Sequence, residues 1–123
     1  MSMTTLIVDD HAGFRASARV LLEMEGFEVV GEAADGATGV SAAESLRPEF
    51  VLLDVQLPDT HGFDVAREIL GRGLTKRVVL VSSRDESDYG DSIHSSGALG
   101  FVPKAELSGD RLRALFLKEP TCG

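Results

Sequence analysis

The chain has one cysteine, no tryptophan, four prolines and only 12 cationic side chains against 20 anionic ones in 123 residues. Each shortage closes off a class of protein. Cys122 stands next to the C-terminal residue with no second thiol, so no disulfide and no thiolate metal site is available. A net charge of −8 leaves no basic face for phosphate backbones, and direct nucleic-acid binding by this chain is not expected. No apolar run nears the roughly 20 residues that cross a bilayer, and no basic-then-apolar leader opens the chain. The expectation is a cytoplasmic protein with no membrane contact.

What is present is enough for a single domain. A chain of this length removes roughly two-thirds of its unfolded surface from water on folding, so the core needs no covalent staples. Strand-like and helix-like segments alternate throughout, which argues for βαβ units and a parallel sheet covered on both faces. Phe14, Ala18, Leu21 and Leu22 fall on one helical stripe, and Gly26 ends that helix as a left-handed cap. Glu28 to Ala33 reads as an edge strand, followed by an Asp35-Gly36 turn and a helix carrying Val40, Ala43 and Leu46 inward before Pro48. A third helix presents Phe63, Ala66, Ile69 and Leu70. Between Arg84 and Ser96 only Tyr89 and Ile93 are sizeable apolar residues, and Gly90 separates them, so the fourth helix should be short or mobile. A last helix from about Leu107 turns Leu112, Leu115 and Phe116 to the sheet, and the tail 119–123 is expected to be disordered.

The informative polar residues stand at the ends of the apolar runs. Asp9-Asp10 follow Thr5-Leu6-Ile7-Val8, and Asp54 follows Phe50-Val51-Leu52-Leu53. Ser82 follows Val78-Val79-Leu80-Val81, and Lys104 follows Leu99 to Pro103. Short aliphatic runs bounded by turn-formers read as buried parallel strands, whose carboxyl ends carry the ligand site in open α/β sheets. Three carboxylates, a hydroxyl and an ammonium therefore converge at one sheet edge. Clustered carboxylates raise one another's pKa unless a cation neutralises them. An oxygen-only donor set favours Mg²⁺. A carboxylate beside such an ion is a nucleophile for phosphoryl transfer, with Mg²⁺, Lys104 and the Ser82 hydroxyl each neutralising part of the transferred charge. Any one of these residues has an ordinary reading: an N-cap, a strand hydroxyl, a solvated lysine. His11 and His94 read as a helix-start residue and a surface residue.

Val8-Asp9-Asp10-His11, Leu53-Asp54-Val55-Gln56-Leu57-Pro58 with Gly62, Val81-Ser82-Ser83 and Gly97-Ala98-Leu99-Gly100-Phe101-Val102-Pro103-Lys104 together resemble the receiver domain of two-component response regulators. The resemblance runs from Leu6 to about Leu117. It is strongest to receivers whose proteins carry a helix-turn-helix output; only six residues follow Leu117, so the expectation is either a single-domain regulator or a piece of a longer protein. It implies a receiver domain over 1–118 with a flavodoxin-like five-stranded parallel sheet in the order 2-1-3-4-5. It implies that Asp54 accepts a phosphoryl group from a sensor histidine kinase or phosphotransfer protein. Asp10, Asp54 and the Gln56 carbonyl would hold Mg²⁺, with Asp9 acting through water. Ser82 and Lys104 would bind the phosphoryl group, and Phe101 would turn inward as Ser82 moves. The face of the fourth helix, fifth strand and fifth helix would then meet a downstream effector, a separate output domain or a second copy of the chain. Such a domain catalyses only its own phosphorylation and dephosphorylation.

The chain departs from that pattern in three places. Ala105 follows Lys104 where proline is common, Phe101 lacks the hydroxyl of a tyrosine, and His61 stands where an acid is common. A phosphorylation-independent interaction module of the same fold stays open. An Asp-x-Asp phosphatase does not, since His11 occupies the position of the second acid.

Overall fold

The computed structural model describes residues 3–117, so the expected disorder of 119–123 lies outside the described residues. Five parallel strands form one sheet in the order β2-β1-β3-β4-β5. They are β1 (Thr4–Val8), β2 (Glu28–Ala33), β3 (Phe50–Asp54), β4 (Val78–Ser82) and β5 (Gly100–Pro103). The helices are α1 (Ala12–Met24), α2 (Gly36–Leu46), α3 (Gly62–Gly71), α4 (Ser92–Ser95) and α5 (Gly109–Leu117).

Successive strand residues point to opposite faces, and the apolar runs therefore feed two cores. Leu6, Val8, Val51, Leu53, Val78, Leu80 and Phe101 pack under α2, α3 and α4. Ile7, Phe50, Leu52, Val79, Val81 and Val102 pack under α1 and α5, with Ala18, Leu22 and Leu112 buried against them. Phe50 anchors the second core edge-on to Phe116 at 5.2 Å and tilted against Phe27 at 5.8 Å. Truncating such a fully buried aromatic costs about 3–5 kcal/mol.

The helix boundaries follow from local chemistry. Asp35 caps α2, its carboxylate accepting the Thr38 N–H at 2.8 Å. Gly26 follows α1 at φ +94°, the conformation expected of it. As anticipated, α4 is a single turn, preceded by a 3₁₀ turn over Glu86–Asp88. Two expectations need correction. The last helix begins at Gly109 rather than Leu107, because Lys104–Glu106 forms its own 3₁₀ turn first. Leu46 is not in the core. It is 42% exposed, lying over Gly31 of edge strand β2, where no side chain can cover it.

Candidate functional site

The carboxyl ends of β1, β3, β4 and β5 meet at one edge, and the sequence-expected residues meet there with them. Asp10, Asp54, Gln56, Ser82 and Lys104 line a cleft of about 220 Å³, together with His11, Leu57, Pro58 and Ser83. Asp9 lies behind that cleft, fully buried, while Asp10 is exposed at its mouth.

Asp9 is tied down from several sides. Its Oδ1 accepts the His11 N–H at 2.8 Å, and its carbonyl accepts from the Arg15 guanidinium at 2.6 Å. Its Oδ2 is buried and receives no aligned hydrogen bond. The Lys104 ammonium approaches it as an ion partner at 2.7 Å. The same ammonium stands 3.4 Å from Asp54 Oδ2 and 4.6 Å above the centroid of the Phe14 ring. Lysine is thus held by two carboxylates and an aromatic face.

Asp54 ends β3 almost wholly buried. Burial first, and the Asp9 charge second, push its carboxyl pKa up to about 6. Lys104 and the Gln56 N–H, which donates to Oδ1 at 3.3 Å, pull the other way. The loop after β3 folds back so tightly that a Cβ on Gly62 would lie 2.2 Å from the Asp54 carbonyl oxygen. Only glycine allows α3 to begin there, and the Gly62 N–H donates to the Val55 carbonyl at 2.6 Å. At the neighbouring strand end, the Ser82 hydroxyl accepts the Arg84 N–H at 3.1 Å and lies 2.7 Å from the Tyr89 hydroxyl. Phe101, from β5, is already buried at 5% exposure.

Two participants were not legible as such in the sequence. His11 does start α1, as expected, but its Nδ1 also sits 3.2 Å from both Asp9 Oδ1 and Asp10 Oδ1. Asp9, Asp10, His11 and Asp54 each offer one ligand atom within 4.8 Å of the others, so this group could hold a metal ion. Adjacency to two strand-end acids was the signal that could have placed His11 here. Tyr89 gave no such signal, since nothing local ties its hydroxyl to a residue seven positions earlier.

The match to known proteins covers the same span. The family model for the response regulator receiver domain matches residues 5–116. The chain belongs to that family. It is 40% identical over 101 residues to BvgA, a positive transcription regulator of virulence factors from Bordetella pertussis, covering 82% of this chain and 48% of that protein. It is 33% identical over 104 residues to the DNA-binding transcriptional activator EvgA of Escherichia coli K12, covering 85% of this chain and 51% of that one. The chain therefore spans about half the length of these relatives. Among solved structures, the receiver domain of the response regulator NarL from Mycobacterium tuberculosis matches with a TM-score of 0.76 at 29% identity, over 94% of this chain and 97% of that one. A LuxR-family two-component response regulator from Aurantimonas matches with a TM-score of 0.83 at 26% identity, over 95% and 84%. The receiver is thus a signalling domain of the two-component type, with five parallel strands in the order 2-1-3-4-5. Among the described residues, no helix is long and apolar enough to cross a membrane.

Proposed function

We propose that Asp54 is the phosphoacceptor of this receiver, taking its phosphoryl group from a sensor histidine kinase or a phosphotransfer protein. The observation that carries the reading is the setting of Asp54. It is a buried carboxylate with its pKa raised to about 6, opening onto a cleft between the Asp9 charge and the Lys104 ammonium. In the transfer, an Asp54 Oδ forms the new P–O bond as the P–N bond to the donor imidazole breaks. The leaving nitrogen keeps the electron pair and takes up a proton from water. Lys104 then has a third anionic partner, and the Ser82 hydroxyl can donate to a phosphoryl oxygen.

The donor set fits Mg²⁺, with Asp10, Asp54 and the Gln56 carbonyl as ligands and Asp9 acting through water. Asp9, Asp10 and Asp54 each offer an oxygen within 4.8 Å of the others, although the Asp9 Oδ2 already faces the Lys104 ammonium. Bound there, the ion would supply charge against the carboxylates and the incoming phosphoryl oxygens. Ser82 and Phe101 would carry the change to the surface of α4, β5 and α5, which an effector protein, an output domain or a second copy would read. The cytoplasm is where such a kinase partner would meet it.

The deciding measurement is intact mass after incubation with Mg²⁺ and acetyl phosphate, with Asp54→Asn alongside. One hydroxylamine-labile phosphoryl group that needs Mg²⁺ and is absent from the variant is the expected result. A folded, Mg²⁺-binding protein with no adduct would instead make the chain a phosphorylation-independent interaction module.

A further inference from the structure

Ser82 closes β4 at 1% exposure, and its hydroxyl points at an aromatic group rather than at a charge. Tyr89 reaches it at 2.7 Å from the turn between the Glu86–Asp88 3₁₀ turn and α4. The Tyr89 ring stands edge-on to Phe63 of α3, with centroids 5.4 Å apart, and tilted against Phe101 of β5 at 5.6 Å. One phenol therefore connects the cleft hydroxyl to α3, to β5 and to the turn that leads into the four-residue α4. Phe63 and Phe101 are buried, whereas Tyr89 is only partly so. Phe101 is already buried, so a change passed from Ser82 to it runs through the less buried Tyr89 ring packed against it. Tyr89 has somewhere to go.

We propose that Tyr89 is the side chain that reads Ser82: its hydroxyl holds the serine hydroxyl at rest and loses it to a phosphoryl group on Asp54. This rests on the assignment of Asp54 as acceptor. A serine hydroxyl has one proton and two lone pairs, and the Arg84 N–H occupies one lone pair. A phosphoryl group only accepts, so it claims the single proton. A hydrogen bond to an anionic oxygen is roughly twice as strong as one between neutral groups, so the phosphoryl group wins the hydroxyl from tyrosine. To reach a phosphoryl oxygen the Ser82 hydroxyl must rotate from Tyr89 toward the cleft, and that rotation, whichever hydroxyl donates at rest, breaks the 2.7 Å contact and frees the ring to swing with the turn that carries it. That movement changes the surface between α4 and β5. Tyr89 is a positioning residue for Ser82 and touches no reacting atom.

The chain carries its own reporter, because it has one tyrosine and no tryptophan. The experiment records intact mass together with near-ultraviolet tyrosine absorption and emission, before and after Mg²⁺ with acetyl phosphate. In the wild type, one phosphoryl adduct should appear together with a shift of the tyrosine band. In Ser82→Ala the resting band should already lie at the shifted position and stay there on treatment. Tyr89→Phe should still form the adduct, since tyrosine takes no part in the transfer. An adduct with an unchanged tyrosine spectrum overturns the inference alone, as does a Ser82→Ala resting spectrum identical to the wild type. No adduct in the wild type overturns the acceptor assignment and this inference with it.

Discussion

The Lys104 ammonium lies closer to Asp9, at 2.7 Å, than to Asp54, at 3.4 Å. At rest the lysine neutralises the buried carboxylate of β1 more than the acceptor. Burial first, and the Asp9 charge second, raise the Asp54 pKa to about 6 against the opposing pull of this cation. The same placement makes Lys104 a structural countercharge before it is a ligand of anything.

Replacing Lys104 with Ala should therefore cost stability at neutral pH, because Asp9 and Asp54 then face each other without their cation. The loss should be about 2 kcal/mol, under the roughly 3–5 kcal/mol typical of fully enclosed pairs, since this one opens onto a cleft. Added Mg²⁺ should recover most of it by replacing the missing charge. Denaturant melts with and without Mg²⁺ check this, and a loss indifferent to Mg²⁺ would count against a shared cation site.

Asp54→Asn should make the fold more stable at pH 7. The folded-state pKa of Asp54 is raised, so ionisation opposes folding. The stability associated with the protonated form is complete below the unfolded pKa of about 3.9 and is lost as pH rises through about 6. The variant, never charged, should gain about 1–2 kcal/mol above that window once solvent screening is allowed for. Its advantage should vanish near pH 4. Thermal melts of both proteins across this range give the answer, and an advantage that grew on acidification would invert the argument.

Gly62→Ala tests the contact that seats the acceptor. A methyl 2.2 Å from the Asp54 carbonyl oxygen cannot be relieved by a side-chain rotation, because the obstacle is backbone. Overpacking of this kind costs about 1–3 kcal/mol, and here the relief must come from moving Asp54 or the start of α3. Phosphoryl uptake from acetyl phosphate should fall together with stability. Wild-type uptake in a destabilised variant would show that the acceptor tolerates displacement.

Much of the site could be read from the chain because parallel strands write themselves as short aliphatic runs, and their ends mark the ligand edge. Asp9, Asp10, Asp54, Ser82 and Lys104 all stand at such ends, and the brevity of α4 followed from Gly90 and the serines around it. Patterns of polarity could not rank the two aspartates, one of which is fully buried and the other exposed. That depends on which way the backbone turns after Val8. Nor could they find Tyr89 beside Ser82, since a turn of unknown shape separates them. Leu46 was misjudged for a related reason: helical spacing shows which face a residue takes, but not that glycine opposes it on an edge strand.

The loop after β3 is also pinned from outside the site, and this too was invisible in sequence. The Asp59 carboxylate accepts the Gly36 N–H at 2.8 Å and the Ala37 N–H at 3.0 Å, joining the acceptor loop to the first turn of α2. Those two bonds, the Gly36 one first, hold the Asp59 pKa below its ordinary value, as a carboxylate at a helix N-terminus should be held. A depressed acid pKa stabilises the fold above the unfolded pKa of about 3.9 and loses that effect as pH falls through the lower folded value. Asp59→Ala should therefore melt earlier than wild type at pH 7, with the difference shrinking below about pH 4. Because the same loop carries Gln56, the variant should also bind Mg²⁺ more weakly, which titration calorimetry would read. An unchanged melting temperature at neutral pH, or a gap that widens in acid, would show that this bridge does not hold the loop.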